Sequence, residues 1–423
     1  EDQAATILEE DRMQLRDALA ATAAFTPEQF ATFSRHIDPD WIEEALLSTD
    51  HATLRRRRLP NQQAVWLVIG MALMRDRPMM EVVRQLDLAL PAGRSRALAR
   101  GSVSKARARL GREPLEWLFS RTSSEWAHAS ADKARWRGLA IYAADGTTAR
   151  VPDSEENRSH FGGQKAGAGR GESGYPIVRM TALIAARSHL VAAVDFGPYG
   201  NDERSYAATL WRAIPDHSLT LLDRAYLQAN VLVPLIRDGH ERHWMTRAKS
   251  TTVWRVVETL GPGDWWIEMD VSGAARRQDP TLPKTFQARA IRYQRKGFKP
   301  STLLTSLTDA ARYPADELRV LYHERWEIEL AYAEIKTDML QRNEAIRSKS
   351  PEGVAQELFG ILLAYNLIRL EMVQIADEIG VSPLRISFVA ALRFIVDEWS
   401  WASITSSPGA IPRHLADMRD KIC

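Results

Sequence analysis

The sequence predicts an α/β protein in which a sheet is flanked by helical regions at both ends of the chain. Two short apolar runs in the middle, 139–144 and 218–222, are typical of buried strands, and an aspartate follows each. Around them, strand patterns alternate with helical patterns. Before residue 136 and after residue 342 the apolar spacing is helical. These observations place an α/β core between two helical regions.

Length and composition predict a globular protein of two or three domains. The chain has 423 residues, of which 45% are hydrophobic and 26% charged. The single cysteine, Cys423, excludes an intrachain disulfide and a zinc site built on several cysteines, and it is compatible with a reducing cytoplasm. The longest apolar run, 64–74, is shorter than the ~20 residues that span a bilayer. We therefore expect no membrane partner.

The net charge of +2 hides an uneven distribution along the chain. The first 52 residues are acidic, whereas residues 53–112 carry fourteen lysines and arginines against three acids, beginning with Arg55–Arg58. Such clusters commonly neutralise DNA phosphates, although a solvated helix face is the alternative.

Within this basic stretch, the local pattern predicts a helix-turn-helix over about 62–111. Apolar spacing predicts helices over 62–74, 78–90 and 103–110. In the last helix, three basic residues are expected to face outward, and they are candidate DNA contacts: Lys105, Arg107 and Arg109. A short helix, a turn and a basic helix are the parts of this DNA-binding motif.

The two strand-end aspartates are Asp145 and Asp223. A single aspartate at such a position more often caps a turn. If the two strands are neighbours, however, the carboxylates lie side by side at the sheet edge where ligands bind in α/β proteins. Later in the chain, residues 249–302 predict a small β-rich insertion.

Residues 318–338 contain no glycine or proline and predict one long helix. At about 100° per residue, four polar residues share an arc of about 60°: Tyr322, Arg325, Glu329 and Lys336. The other acids of this segment lie elsewhere on the wheel. Two aspartates and a glutamate offer the oxygen ligands that Mg²⁺ prefers, and two such ions about 3.5–4 Å apart can drive phosphodiester chemistry.

These motifs resemble those of the bacterial DDE transposases of the insertion-sequence-4 family, over nearly the whole chain. The family signature Y-(2)-R-(3)-E-(6)-K is matched at Tyr322, Arg325, Glu329 and Lys336. The segments 145–146 and 223–226 resemble the other two catalytic blocks. Further similarity covers 347–349, 356–358 and 364–367.

The resemblance implies an RNase H-like core, with a mixed sheet flanked by helices and a β-rich insertion before the glutamate helix. The implied organisation has a helical DNA-binding region at 1–135 and a catalytic domain at 136–342. A helical C-terminal region follows at 343–423.

The implied activity is cut-and-paste transposition. Two Mg²⁺ ions, for which Mn²⁺ substitutes, are expected at Asp145, Asp223 and Glu329. The resemblance implies that the protein binds terminal inverted repeats, nicks them, forms a DNA hairpin and transfers the freed strand into target DNA. Tyr322, Arg325 and Lys336 are implied to hold the terminal phosphate.

The resemblance also implies a base-flipping tryptophan in the insertion and a wider DNA surface. The candidates for stacking on the flipped base are Trp265 and Trp266 first, then Trp254. Arg347 and Lys349 join the basic helix as expected DNA contacts. The expected partners are double-stranded DNA and a second copy of the chain in a synaptic dimer, in the bacterial cytoplasm at the nucleoid.

Two alternatives stay open. One is an RNase H-like nuclease that cuts DNA without strand transfer, which a strand-transfer assay would distinguish. The other is a domesticated, non-enzymatic DNA-binding protein. The presence of Asp145, Asp223 and Glu329 disfavours the second alternative.

Overall fold

The computed structural model describes residues 36–52, 59–86, 88, 99–165, 172–294, 299–341 and 346–402. The arginine run Arg55–Arg58, most of the acidic N-terminal segment and Cys423 lie outside these residues.

Helices dominate the described parts of the two end regions and also flank the strands. The α-helices are α1 (Pro39–Ser48), α2 (Asn61–Leu73), α3 (Met79–Gln85), α4 (Arg100–Leu110), α5 (Glu113–Lys133), α6 (Glu155–Phe161), α7 (Glu203–Trp211), α8 (Ala229–Arg237), α9 (Gly273–Gln278), α10 (Ala315–Leu321), α11 (Glu327–Ala333), α12 (Pro351–Ile379) and α13 (Phe388–Ala402). The strands are β1 (Ala140–Arg150), β2 (Gln164–Lys165), β3 (Glu172–Ser173), β4 (Ile177–Ala185), β5 (Val191–Pro198), β6 (Ser218–Leu222), β7 (Arg242–Arg247), β8 (Arg255–Gly261), β9 (Asp264–Asp270), β10 (Thr285–Tyr293) and β11 (Ser301–Thr305).

The chain divides into two compact units. The first unit comprises 1–122, 150–176 and 334–423, and the second comprises 123–149 and 177–333. Of the helical regions predicted at 1–135 and 343–423, residues 1–122 and 343–423 belong to the first unit and residues 123–135 to the second. The physical reason is the packing of α12 against α2, which joins segments that are far apart in sequence.

The core of the first unit is built on two apolar helices. All residues of α2 are buried, including the polar Asn61, Gln62 and Gln63. Helix α12 has 29 residues and is long and apolar enough to cross a bilayer, but 89% of its most apolar window is buried inside the protein. Burial of this extent is typical of a core helix. The predicted helix over 78–90 is shorter in the structure, where it ends at Gln85.

The second unit is organised around a mixed sheet. Among the described residues the strand order is β5-β4-β1-β6-β7-β11-β10-β9-β8. Strand β1 pairs with β6 in parallel, and β6 pairs with β7 in parallel, whereas β4 and β5 are antiparallel. This order of the first five strands, with β1 in the centre and helices around the sheet, is the predicted RNase H-like arrangement.

The β-rich insertion predicted over 249–302 contains β8, β9 and β10, which with β11 extend the same sheet. Strand β11 pairs with β7, and β10, β9 and β8 follow as antiparallel neighbours. A buried ion pair joins two of these strands, because the Arg289 guanidinium on β10 donates to both carboxylate oxygens of Asp264 on β9.

The segment predicted as one long helix is divided, so that prediction is wrong in detail. Helix α10 ends at Leu321 and is followed by a 3₁₀ segment, Tyr322–Trp326. Helix α11 comes next, and then a π-helical segment, Glu334–Met339. A 3₁₀ segment has about three residues per turn, so a uniform 100° wheel does not describe this face.

We expect Gly360→Ala in α12 to destabilise the first unit by about 1–3 kcal/mol. An added Cβ would lie 2.5 Å from Val68 Cγ1 and 3.1 Å from Val68 O on α2, so the helices would have to move apart. Urea unfolding measures the change. The matched control is Gly101→Ala in α4, where nothing lies within 4 Å of the new atom and a gain of up to about 1 kcal/mol is expected. Equal effects of the two changes would contradict this packing.

Candidate active site

The two aspartates meet where β6 ends: Asp223 directly follows β6, whereas Asp145 lies within β1, which continues to Arg150 instead of ending at residue 144 as the sequence predicted. The parallel register of β1 and β6 aligns Ala140 with Ser218 and Ala144 with Leu222. Asp145 and Asp223 are the residues that follow this last aligned pair. The condition set by the sequence, that the two strands be neighbours, is therefore met.

Arg325 connects the strand edge to the signature glutamate. Its Nη2 donates to Glu329 Oε1 at 2.7 Å, and its Nη1 lies 3.6 Å from Asp145 Oδ2. The Arg325 side chain is 13% exposed, and Asp145 and Glu329 are 20% and 35% exposed. One guanidinium thus lies between two carboxylates in a partly desolvated site, where charge pairing is strong.

Tyr322 anchors the same helical segment to the other strand. Its hydroxyl donates to the carbonyl oxygen of Leu222, the residue before Asp223, at 3.1 Å. Tyr322 is 5% exposed, and burial raises the pKa of its hydroxyl to about 12. The hydroxyl is therefore protonated at neutral pH and acts as a hydrogen-bond donor.

A further acid, Glu203 at the start of α7, was missed by sequence reasoning. An added Cβ at position 146 would clash with this carboxylate and lie 3.2 Å from Glu203 Cβ, so a larger residue there would displace the Glu203 side chain. Arg179 pairs with Glu203 at 3.8 Å. Burial raises the pKa of Glu203, and Asp202 and Asp223 add to the rise while Arg179 opposes it. The glycine that directly follows Asp145 was the only sequence feature that indicated this contact.

Burial and neighbouring acids also perturb Asp145. Burial raises the pKa of Asp145 to about 6, and the acids Glu203 and Asp223 add to the rise. The Gly146 amide, which donates to Asp145 Oδ1 at 2.8 Å, and the Arg325 guanidinium oppose it. The carboxylate thus carries a charge that its protein neighbours only partly compensate.

The donor set suits a hard divalent cation, although the acids are not gathered around one point. Asp145, Asp223 and Glu329 offer only oxygen ligands. Within the described ranges, no group of three or more Asp, Glu, His or Cys side chains is close enough to hold a metal ion. The Arg325 guanidinium supplies the positive charge between Asp145 and Glu329 instead.

A cavity of about 570 Å³ opens beside Arg325 in the second unit. We call it the cationic cavity, and its lining residues are Arg247, Tyr293, Lys299, Ser301, Tyr322, His323, Arg325 and Trp326. This lining combines cations and aromatic rings and contains no acid. Such a surface suits a phosphate and a stacked base.

The tryptophans named from the sequence lie elsewhere. Trp265 and Trp266 are half-buried on β9, and Trp254 is half-buried just before β8. The residue that sequence reasoning missed is Trp326, which lines the cationic cavity and is 55% exposed. Its signal was its position within the signature, directly after Arg325.

Lys336 lies in the π-helical segment, which belongs to the first unit. The side chain is half-buried, and burial lowers the pKa of its ammonium group.

Several predicted DNA contacts in the first unit bond to the protein instead of facing outward. Arg107 donates to Gln356 Oε1 at 2.9 Å and to Ser348 Oγ at 3.1 Å. Arg109 donates to Asn61 Oδ1 and to the carbonyl of Leu59.

Arg347 likewise donates to the backbone carbonyls of Met71 and Arg77, at 2.9 and 3.0 Å. Lys105 and Lys349, by contrast, have exposed side chains. The amphipathic pattern of α4 did not distinguish a basic residue that hydrogen-bonds a neighbouring helix from one that faces solvent.

Strand order and paired acids together define the class: an RNase H-like domain with one carboxylate within β1 and one directly after its parallel neighbour β6. Family comparison agrees. Residues 27–120 match the insertion element 4 transposase N-terminal model, and residues 136–367 match the transposase DDE domain model.

Two curated relatives from Escherichia coli strain K12 are similar to the chain. The transposase InsG for insertion sequence element IS4 is 38% identical over 384 residues, covering 90% of this chain and 86% of that protein. The putative transposase InsZ is 32% identical over 279 residues, covering 63% of this chain and 91% of that protein. The chain belongs to the DDE transposases of the insertion element 4 family, and it is an enzyme that acts on DNA.

Among solved structures, the piggyBac transposase synaptic complex with hairpin DNA aligns with a TM-score of 0.42 and 10% identity. The alignment covers 93% of this chain and 85% of that one. Similarity at this level carries no inference about the site.

We expect Asp145→Asn to stabilise the protein by about 1–3 kcal/mol at pH 8 without divalent ions. Because the pKa of Asp145 is raised to about 6, the folded state binds this proton more tightly than the unfolded state. The charged carboxylate therefore costs stability above pH 6, and this cost disappears as the pH falls toward 4. Urea unfolding of both proteins from pH 4 to 8 measures it. A stability gain that increases on acidification would contradict the assignment.

Proposed function

We propose that this transposase excises and inserts its element by Mg²⁺-dependent nicking, hairpin formation and strand transfer. The observation that carries the proposal is the placement of Asp145 and Asp223 next to each other on the neighbouring strands β1 and β6, with Glu329 joined to Asp145 through Arg325. The relative InsG, a transposase for an insertion sequence element, has the same class of activity.

In this proposal Asp145, Asp223 and Glu329 hold two Mg²⁺ ions, with Mn²⁺ as a substitute. The bound ions supply activation of the attacking oxygen and stabilisation of the leaving oxygen. The raised pKa of Asp145 supports the assignment, because a buried and under-compensated carboxylate gains most from a nearby cation.

The terminal phosphate is proposed to lie in the cationic cavity. Arg325 offers a planar fork that suits phosphate, and Arg247 and Lys299 add charge from the strand side. The Tyr322 hydroxyl keeps this wall in place through Leu222. Lys336 is proposed as a further phosphate contact on the resemblance of the signature.

Hairpin formation needs a base to leave the stack. We propose Trp326 as the stacking residue ahead of Trp265, Trp266 and Trp254. Trp326 is more than half exposed and lines the same cavity as Arg325, whereas the other three are half-buried and are not part of that lining.

DNA ends are proposed to bind as double strands to the first unit, with Lys105 and Lys349 among the contacts. Two copies of the chain are proposed to bring two ends together in a synaptic dimer in the cytoplasm, at the nucleoid. A hydrolytic nuclease without strand transfer is the second candidate, because the same acids would serve both reactions.

Asp145→Asn, Asp223→Asn and Glu329→Gln should each abolish cleavage of terminal-repeat DNA in Mg²⁺ while leaving end binding intact. The matched control is Glu327→Gln on the same helix, since Glu327 pairs with His189 at 2.8 Å and should affect folding more than cleavage. Nicking and strand-transfer gels with gel-shift binding measure both steps. Normal cleavage by any of the three variants sinks the proposal, and cleavage without joining by the wild type supports the nuclease.

Lys105→Ala and Arg107→Ala should separate DNA binding from folding. Lys105 is exposed, so its loss should weaken end binding and lower the salt slope of log K by about one. Arg107 bonds to Gln356 and Ser348, so its loss should destabilise the fold by about 1–3 kcal/mol. Fluorescence anisotropy at several salt concentrations and urea unfolding measure the two effects. A stable Arg107→Ala variant with a reduced salt slope would reverse the assignment.

A further inference from the structure

Tyr332, on the same helix as Glu329, forms a hydrogen bond with the backbone of Asp145. Its hydroxyl donates to the carbonyl oxygen of Asp145 at 2.7 Å and accepts from the amide of Ala182 at 3.1 Å. The side chain is 8% exposed.

The Tyr332 hydroxyl lies between two neighbouring strands of the sheet, β1 and β4. Strands β1 and β4 are neighbours, and their register is given by two backbone bonds, from Ala186 N to Ile141 O and from Val151 N to Pro176 O. In an antiparallel ladder, each step forward along one strand is matched by one step backward along its partner. The same register therefore places the Ala182 amide opposite the Asp145 carbonyl. These are the two groups that Tyr332 bridges, so its hydroxyl stands where a direct ladder bond would form.

We infer that Tyr332 is a positioning residue that sets the distance between Asp145 and the helix carrying Glu329. The hydroxyl takes the place of one backbone hydrogen bond between β1 and β4 and holds the two strands apart at that point. It also connects both strands to α11, which carries Tyr332. The inference rests on the proposed function, in which Asp145 and Glu329 hold the divalent ions.

A second tyrosine of this helical segment, Tyr322, makes a similar bond to the strand that precedes Asp223. Tyr322 bonds to the carbonyl of Leu222, just before Asp223, while Tyr332 bonds to the carbonyl of Asp145. Glu329 lies between these two anchors in the chain. Asp145 and Asp223 are thus each connected, through a backbone hydrogen bond, to the helical segment that carries Glu329. Loss of the Tyr332 bond releases Asp145 from this segment.

The test is Tyr332→Phe in the full chain, which removes the bridging oxygen and keeps the ring. Tyr142→Phe is the matched control, because Tyr142 is a fully buried residue of β1 whose hydroxyl lies 2.7 Å from His128 Nδ1. The measurements are end cleavage as a function of Mg²⁺ concentration, thermal unfolding, and amide exchange of Ala182 in the protein without DNA or divalent ions.

Both variants should lose thermal stability. Only Tyr332→Phe should raise the half-saturating Mg²⁺ concentration, by roughly tenfold or more, as expected when a group that orients a metal ligand is lost. The Ala182 amide should be protected in the wild type and exchange faster in Tyr332→Phe.

An unchanged Mg²⁺ dependence in a folded Tyr332→Phe, or an equal shift in Tyr142→Phe, overturns the inference while leaving the proposed function intact. Rapid exchange of the Ala182 amide in the wild type overturns it as well, even if the variant does not fold. A wild type that cleaves with no divalent ion, or not at all, removes the proposed function instead.

Discussion

The parallel pairing of β1 with β6 is the constraint on which the site depends. Because the strands run in the same direction and in register, the residues after Ala144 and Leu222 emerge at one sheet edge. Residues 140–144 of β1 and all of β6 are buried, so their side chains pack on both faces of the sheet and hold the two strands in place. Two carboxylates are thereby held together against their mutual repulsion, and the free energy of the sheet core offsets that cost.

This cost explains the surroundings of the pair. Burial raises the pKa of Asp145 to about 6, and the neighbouring acids Glu203 and Asp223 add to the rise. The Arg325 guanidinium, which lies between Asp145 and Glu329, compensates part of this negative charge. A site of this kind exchanges stability for function, because the same uncompensated charge that weakens the fold is what attracts a cation.

Much of the fold was predictable because the sheet has strong local signals. The apolar runs before Asp145 and Asp223 predicted β1 and β6, although β1 continues past Asp145 to Arg150, and the insertion predicted over 249–302 contains β8, β9 and β10. The uniform helix over 318–338 was wrong, because changes from α to 3₁₀ and π geometry arise from packing and leave no mark in helix propensity. The roles expected of Arg107 and Arg347 stay untested, but their bonds to other helices depend on contacts between distant segments.

Residue type, spacing and the resemblance to a known family selected the candidate acids and the signature, and the family itself is confirmed. Glu203, Trp326 and Tyr332 emerged only from the folded chain. Glu203 packs on Gly146, Trp326 lines a cavity built from three strands and a helix, and Tyr332 stands between two strands. Each role depends on neighbours that are remote in sequence, and local periodicity carries no information about which remote segments meet.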